Sequence, residues 1–198
     1  MSSSERPRVP RRVVTGVRDG RSVFVSDGPT PNAHVYDSIP GMMTSVLYAT
    51  AASATYPAHD EETAPRYGRL VPAPGETTLL IVTFPPDSVF GSPDFDPEEA
   101  GLEQYDFAPD FAERFELDNP GKHQTDSIDY DIVLDGEIWL ELDEETKHLR
   151  AGDVVVQCGT RHAWRNPGDR PATMCFVLVG VAPRSAPATD HPTKEDRK

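Results

Sequence analysis

The sequence predicts an all-β fold in a single domain, on three observations. Short runs of β-branched and aromatic residues recur along the chain, turn dipeptides such as Asp19-Gly20 and Asp135-Gly136 separate them, and 20 prolines and 14 glycines leave little room for long helices. At 198 residues the chain can bury one substantial core but not two ordinary domains, so one barrel or sandwich is expected over residues 13–183.

Taken in order, residues 1–12 (MSSSERPRVPRR) read as a flexible basic arm. The runs 13–17 and 22–26, joined by Asp19-Gly20, form a first hairpin, and 45–50 is a further strand. The stretch 51–69 is rich in Ala, Thr, Pro and charge and reads as loop. Gly75-Glu76 then launches the β-branched run 77–84, which Pro85-Pro86 stops. Residues 87–120 change character: acids dominate, Arg114 is the only base before Gly121, and Phe107, Phe111 and Phe115 recur every four residues. That spacing predicts a short amphipathic helix over 109–117. This acidic, partly helical insertion is either a solvated excursion pinned by its aromatics or a lid over the barrel mouth. Strands are expected at 146–150, 152–157, 162–166 and 172–181, and a disordered tail over 184–198.

The formal charge of −14 argues against nucleic acid or an anionic membrane as partner, since both require basic patches. No apolar run approaches the length of a membrane span or the core of a signal peptide, so a cytoplasmic protein acting on a small molecule is expected. Cys158 and Cys175 are expected as free thiols in a reducing compartment.

The segment 121–142, GKHQTDSIDYDIVLDGEIWLEL, holds the candidate chemistry. Its alternation places His123, Thr125, Asp129 and Asp131 on one parity and Ile128, Tyr130, Ile132 and Leu134 on the other. Asp135-Gly136 predicts a hairpin turn before Glu137 to Leu142. Simple alternation would send the aspartates to solvent, yet the same parity carries His123, and we expect Asp129 to point inward. Downstream, in AGDVVVQCGTRHAWRNPGD (151–169), Gly159 turns the chain just before His162. Two imidazoles and a carboxylate in a barrel match the two-His, one-carboxylate set that leaves coordination positions open.

Together the two stretches resemble the paired motifs of the cupin superfamily. His123, Thr125, Asp129 and Gly136 fall on the first motif, and Gly152, Asp153, Gly159, His162 and Asn166 on the second. Thr125 stands where that family has a second His, Asp129 where it has Glu, and Gln157 where it has Pro. The resemblance implies a double-stranded β-helix (jelly-roll) barrel and one divalent metal, iron, manganese, zinc or nickel, held by His123, Asp129 and His162. Thr125 is a poor ligand beside imidazole, so weaker binding or an extra water is implied. Asp131 is the candidate general acid or base, and Thr125, Trp164 and Arg161 the candidate substrate contacts. Trp139 is expected on an outer face, and Tyr130 in packing.

Three functions follow from this reading: a metal-dependent enzyme acting as an oxygenase or as a non-redox lyase, decarboxylase or isomerase; a metal-free binder of a small ligand; or a non-catalytic scaffold. Apolar residues on both parities of 132–142 and 172–181 predict a homodimer, held by N-terminal strands packing across barrels. No phosphate-cradling glycine loop, Gly-x-Ser-x-Gly elbow or zinc-ribbon cysteine pairing is present.

Overall fold

The computed structural model describes residues 6–55 and 69–182. The expected tail over 184–198, most of the expected loop over 51–69 and the first residues of the arm lie outside the described residues.

The chain opens with a hairpin of β1 (Arg11–Arg18) and β2 (Arg21–Pro29), turned at Asp19 and Gly20, both at positive φ. Two residues in that conformation match the right-handed twist of the flanking strands, which is why this dipeptide closes tight hairpins. A short β3 (Asn32–Val35), which is polar and unannounced in the sequence, is followed by β4 (Met43–Thr50) and β5 (Thr77–Phe84). The insertion carries α1 (Pro97–Phe107) and α2 (Pro109–Ala112). The remaining strands are β6 (Ser127–Asp135), β7 (Glu137–Glu141), β8 (Thr146–Arg150), β9 (Val154–Cys158), β10 (Ala163–Arg165) and β11 (Ala172–Gly180).

Among the described residues all strand pairings are antiparallel, and they form three sheets. The β1–β2 hairpin is a sheet of its own; β3-β4-β5-β11-β6-β9 is six-stranded and β10-β7-β8 three-stranded. The larger two close over one core in the jelly-roll manner of a double-stranded β-helix. Val46, Leu80, Val82, Val133, Met174, Phe176 and Leu178 enter it from one sheet and Ile138 from the other, with Phe107 and Ala108 added by the insertion. On β11 the alternation is complete, with Ala172, Met174, Phe176 and Leu178 buried and the residues between them half-buried.

Two expectations are corrected here. The segment through Asp135-Gly136 is not a hairpin: β6 pairs with β11 and β9, while β7 pairs with β8 and β10. Gly136, at φ 77°, instead carries the chain from one sheet to the other, and a Cβ there would sit 2.7 Å from the Pro171 carbonyl oxygen. Local turn chemistry says that the chain reverses, but long-range pairing chooses the partner. The principal helix also lies earlier than 109–117. Asp96 caps α1 by accepting from the Glu98 and Glu99 amides, Pro97 occupies its first turn, and the chain breaks at Ala108 before α2.

The insertion is fastened to the barrel by its own acids. Glu103 accepts from the Asp37 and Ser38 amides and pairs with the His34 ring at 2.8 Å, and Asp110 accepts from the Leu70 and Val71 amides. No helix among the described residues is long and apolar enough to cross a membrane.

Candidate active site

His123 and His162 are brought together by backbone alone. Each donates its amide to the other's carbonyl, at 2.9 and 3.0 Å, outside any longer strand pairing. In an antiparallel pair, residues bonded in this way project their side chains to the same face, and the two ring centroids lie 4.3 Å apart. The ring orientation is set two residues upstream in both cases: His123 Nδ1 lies 3.1 Å from the Gly121 carbonyl, and His162 Nδ1 lies 2.9 Å from the Thr160 carbonyl. A carbonyl can only accept, so each Nδ1 carries the proton and each Nε2 keeps its lone pair. Gly121, at φ 83°, gives the first of these carbonyls its direction. Burial and the neighbouring His162 hold the His123 pKa down at about 4, and burial also lowers that of His162. Both rings are therefore neutral at pH 7, the form that binds a metal.

The carboxylates stand on β6. Its pattern is polar inside and apolar outside: Ser127, Asp129 and Asp131 are buried, whereas Tyr130 and Leu134 are exposed. The Ser127 and Thr125 hydroxyls lie 2.9 Å apart, and both stand close enough to Asp129 to stabilise its ionised form. Burial raises the Asp129 pKa to about 6 against the pull of those two hydroxyls. Asp131 is only 1% exposed, and burial followed by the charge of Asp129 pushes it up to about 8. One oxygen of each carboxyl is buried without a protein partner, and so is the amide nitrogen of Gln157, which sits opposite Asp129 on β9. Three unpartnered polar atoms thus lie on adjacent inward positions, where each costs about 1–3 kcal/mol unless a water or a ligand satisfies it.

Aromatic rings enclose the imidazoles. Phe111 and Phe115 of the insertion pack on His123 with centroids 5.1 and 4.8 Å away, and Trp164 meets His162 edge-on at 6.0 Å. Arg161 is held elsewhere. Its fork takes both oxygens of Glu116, at 2.5 and 2.6 Å, and also pairs with Asp143, so it ties the insertion to the β7–β8 turn. Beside the pair, the buried Lys122 donates to the Glu141 and Leu142 carbonyls and pairs with the Glu141 carboxylate.

Of the residues singled out in the sequence, the fold joins His123 with His162, and it sets Thr125, Asp129 and Asp131 on one buried face. Trp164 walls the imidazoles as expected, and Trp139 lies outside, stacked on His148. Two placements bear on the expected roles. Among the described residues no group of three or more His, Cys, Asp and Glu is set to hold a metal ion. Arg161 is engaged by two carboxylates rather than free for a substrate. Gln157, Phe111 and Phe115 went unnoticed as site residues. The four-residue phenylalanine spacing pointed to a helix face but not to the ring it would cover, and Gln157 stood out only as the residue where the resembled motif has Pro.

The donor chemistry suits a divalent metal in part. Two neutral imidazoles with fixed Nδ1 protons are good ligands, and among the described residues no further His, Cys, Asp or Glu is grouped with them.

Residues 118–179 match the family described as the cupin domain. The chain is similar to phomopsin biosynthesis cluster protein D of Diaporthe leptostromiformis, with 62% identity over 63 residues, 31% of this chain and 33% of that protein. It is 42% identical over 65 residues to the cupin-domain-containing oxidoreductase virC of Hypocrea virens, covering 31% of this chain and 34% of the relative. The match thus spans about a third of the length of these curated relatives. Among solved structures, the chain is similar to a Cupin 2 conserved barrel domain protein from Salinispora arenicola, with 17% identity, a TM-score of 0.37 and coverage of 69% and 74% of the two chains. The family match thus falls on the β6–β11 core that carries both histidines, and it is this third of the chain that is similar to the cupin domain.

Proposed function

We propose that the protein is a metal-dependent enzyme acting on a small organic molecule in the barrel. Its reaction type would be that of its relatives, several of which are named cupin-domain-containing oxidoreductases. The observation that carries this reading is the pair of buried, neutral imidazoles whose Nε2 lone pairs are left free by carbonyl bonds at Nδ1. Two such bonds in matching positions orient lone pairs, which a pair of merely structural histidines does not need.

His123 and His162 would hold the ion, with the remaining positions left to solvent, to substrate and to Asp129 if its side chain turns. A divalent ion there would supply Lewis acidity toward a carbonyl or enol oxygen, or, as iron, the activation of dioxygen. The chain's own residues do the rest. Phe111, Phe115 and Trp164 keep water from the imidazoles and offer an apolar wall to a planar substrate. Gln157 presents an amide donor to a substrate oxygen. Asp131, protonated at neutral pH, can give a proton to a substrate atom at its free oxygen, while Asp129, largely ionised there, can take one.

That carboxyl pair favours a second reading, a non-redox lyase or isomerase working by proton transfer on the same site. Elemental analysis of protein purified without added metal tests the common premise. About one equivalent of a single transition metal per chain is expected, removable by chelator with loss of turnover. A native protein that purifies and works without metal would overturn it, leaving a metal-free barrel that binds its ligand through Gln157 and the carboxyls. Anaerobic turnover then separates the two enzyme readings: an oxygenase stops without dioxygen and an isomerase does not.

A further inference from the structure

The pairing that brings the two imidazoles together is a single rung. His123 and His162 exchange both backbone hydrogen bonds, but the bridge is isolated and lies outside the named strands. A regular ladder fixes the spacing of two strands through a series of such bonds, whereas one rung leaves each strand free to pivot about it.

Side chains supply the missing rungs. On one side of the bridge the Gln124 side-chain amide donates to the Gly159 carbonyl at 2.6 Å. On the other stands Glu141 of β7, directly opposite Ala163 of β10. Its two carboxylate oxygens divide between the two histidine-bearing segments. Oε1 pairs with Nζ of Lys122, the residue before His123, at 3.2 Å, and Oε2 accepts from Nε of Arg165, three residues after His162, at 2.7 Å. The Lys122 ammonium is buried, and it also donates to the Leu142 and Glu141 carbonyls at 2.9 and 3.2 Å, so each of its three protons has an acceptor. Arg165 in turn lies across the opposite strand: a Cβ on Gly121 would stand 3.0 Å from its Nη1, and the Gly121 carbonyl is the one beside His123 Nδ1. Burying an ammonium against a carboxylate adds little net stability, because desolvation offsets the attraction. What a carboxylate bonded at both oxygens supplies is geometry.

We propose that Glu141 is a positioning residue for the imidazole pair: holding Lys122 with one oxygen and Arg165 with the other, it fixes the separation and angle of the His123 and His162 rings. On the metal reading proposed above, on which this consequence rests, Glu141 also sets the affinity of the pair for a divalent ion. Two ligands already in place hold an ion more tightly than two that must be ordered as it binds.

Cobalt(II) titrated into chelator-treated protein reads affinity and coordination geometry together by visible absorption, and amide exchange reads the bridge without any ion. In Glu141→Gln, which keeps the shape of the side chain but cannot hold two cations, the Kd for cobalt should rise about tenfold or more and the absorption bands should shift. The His123 and His162 amides should exchange about tenfold faster, while the β11 amides and the thermal melt stay near those of the parent. Arg165→Met removes one arm and leaves Lys122 paired, so it should move both readouts in the same direction even where the first variant fails to fold. Parent-like cobalt affinity and spectrum in these variants would overturn the role of Glu141 and leave the metal reading in place. A parent that binds no cobalt would overturn that reading instead. The exchange rates then decide the positioning role alone: faster exchange at both histidine amides upholds it, and unchanged exchange overturns it.

Discussion

The inner and outer faces of β6 reverse the arrangement that β11, its hydrogen-bonded neighbour, follows. On β11 the inward residues are Ala172, Met174, Phe176 and Leu178, an ordinary apolar core row. On β6 the inward residues include Ser127, Asp129 and Asp131, while isoleucine, tyrosine and leucine face out. An inward acid forfeits the hydration of its charge, and an outward leucine forfeits the gain from burial, so both departures act against the stability of a lone chain. The contrast teaches where the fold has given up stability: inside β6 for a polar site, and outside it where Tyr130 and Leu134 stay exposed.

The largest expected effect removes the site while leaving the neighbouring row intact. His162→Ala should lower bound metal from about one equivalent to below a tenth and abolish turnover, while the circular dichroism spectrum and melting profile of the apoprotein stay close to those of the parent. Mass-spectrometric metal counts check the first part and thermal melts the second. Metal retained at the native level would show that the imidazole pair is not the ligand set.

Next comes the β11 row. Met174 is fully buried between the sheets, and Met174→Ala should cost about 2–5 kcal/mol by lost transfer and by the cavity left behind. Urea melts with an unchanged slope would report it. A cost below about 1 kcal/mol would mean that the row is far looser than its burial shows.

A smaller effect of opposite sign is expected at Asp131. Its pKa is near 8 in the folded chain against an ordinary value near 3.8, so the folded state holds a proton that the unfolded state releases between about pH 4 and pH 8. Its contribution is thus fully present below about pH 4 and is lost as pH rises through 8. Asp131→Asn cannot ionise and should raise the melting temperature of chelator-treated protein at pH 8.5 by about 4–8 °C, of order 2 kcal/mol, with much less gain at pH 4.5. An equal shift at both pH values would point to packing rather than ionisation.

The smallest effect concerns Arg161. Its side chain is about a third exposed, so Arg161→Ala should cost no more than about 1 kcal/mol in global stability. It should nonetheless speed amide exchange across 109–118, because the tie from Glu116 to Asp143 is gone. Unchanged exchange there would show that Asp110 and the phenylalanines hold the insertion without it.

Strand positions were largely legible in the sequence, because the period-two runs and their turn residues are local properties. The run 77–84 is β5 to the residue, and Asp19-Gly20 does turn the first hairpin. The pairing of strands was not legible. Asp135-Gly136 reads as a hairpin from its neighbours alone, and only contacts with β11, β9, β8 and β10, most of them distant in sequence, send β6 and β7 into different sheets. For the same reason β3, four residues with little pattern, exists because β4 offers it an edge.

The site divides in the same way. By itself the sequence determined which side chains share a face, since alternation fixes parity: His123, Thr125, Asp129 and Asp131 on one side, and Ile128, Tyr130, Ile132 and Leu134 on the other. It could not decide which side is inward, because apolar residues outside and acids inside contradict the local hydrophobic preference, and only closure of the barrel over β11 settles it. The tertiary structure alone brought the His162 ring centroid to 4.3 Å from that of His123, laid Phe111 and Phe115 over one of them and drew Arg161 into two ion pairs. Each ring takes its orientation from a carbonyl two residues upstream, but the meeting of the rings and their ionisation depend on partners some 40 residues apart in the chain, and the desolvation that shifts those groups exists only once the barrel has closed.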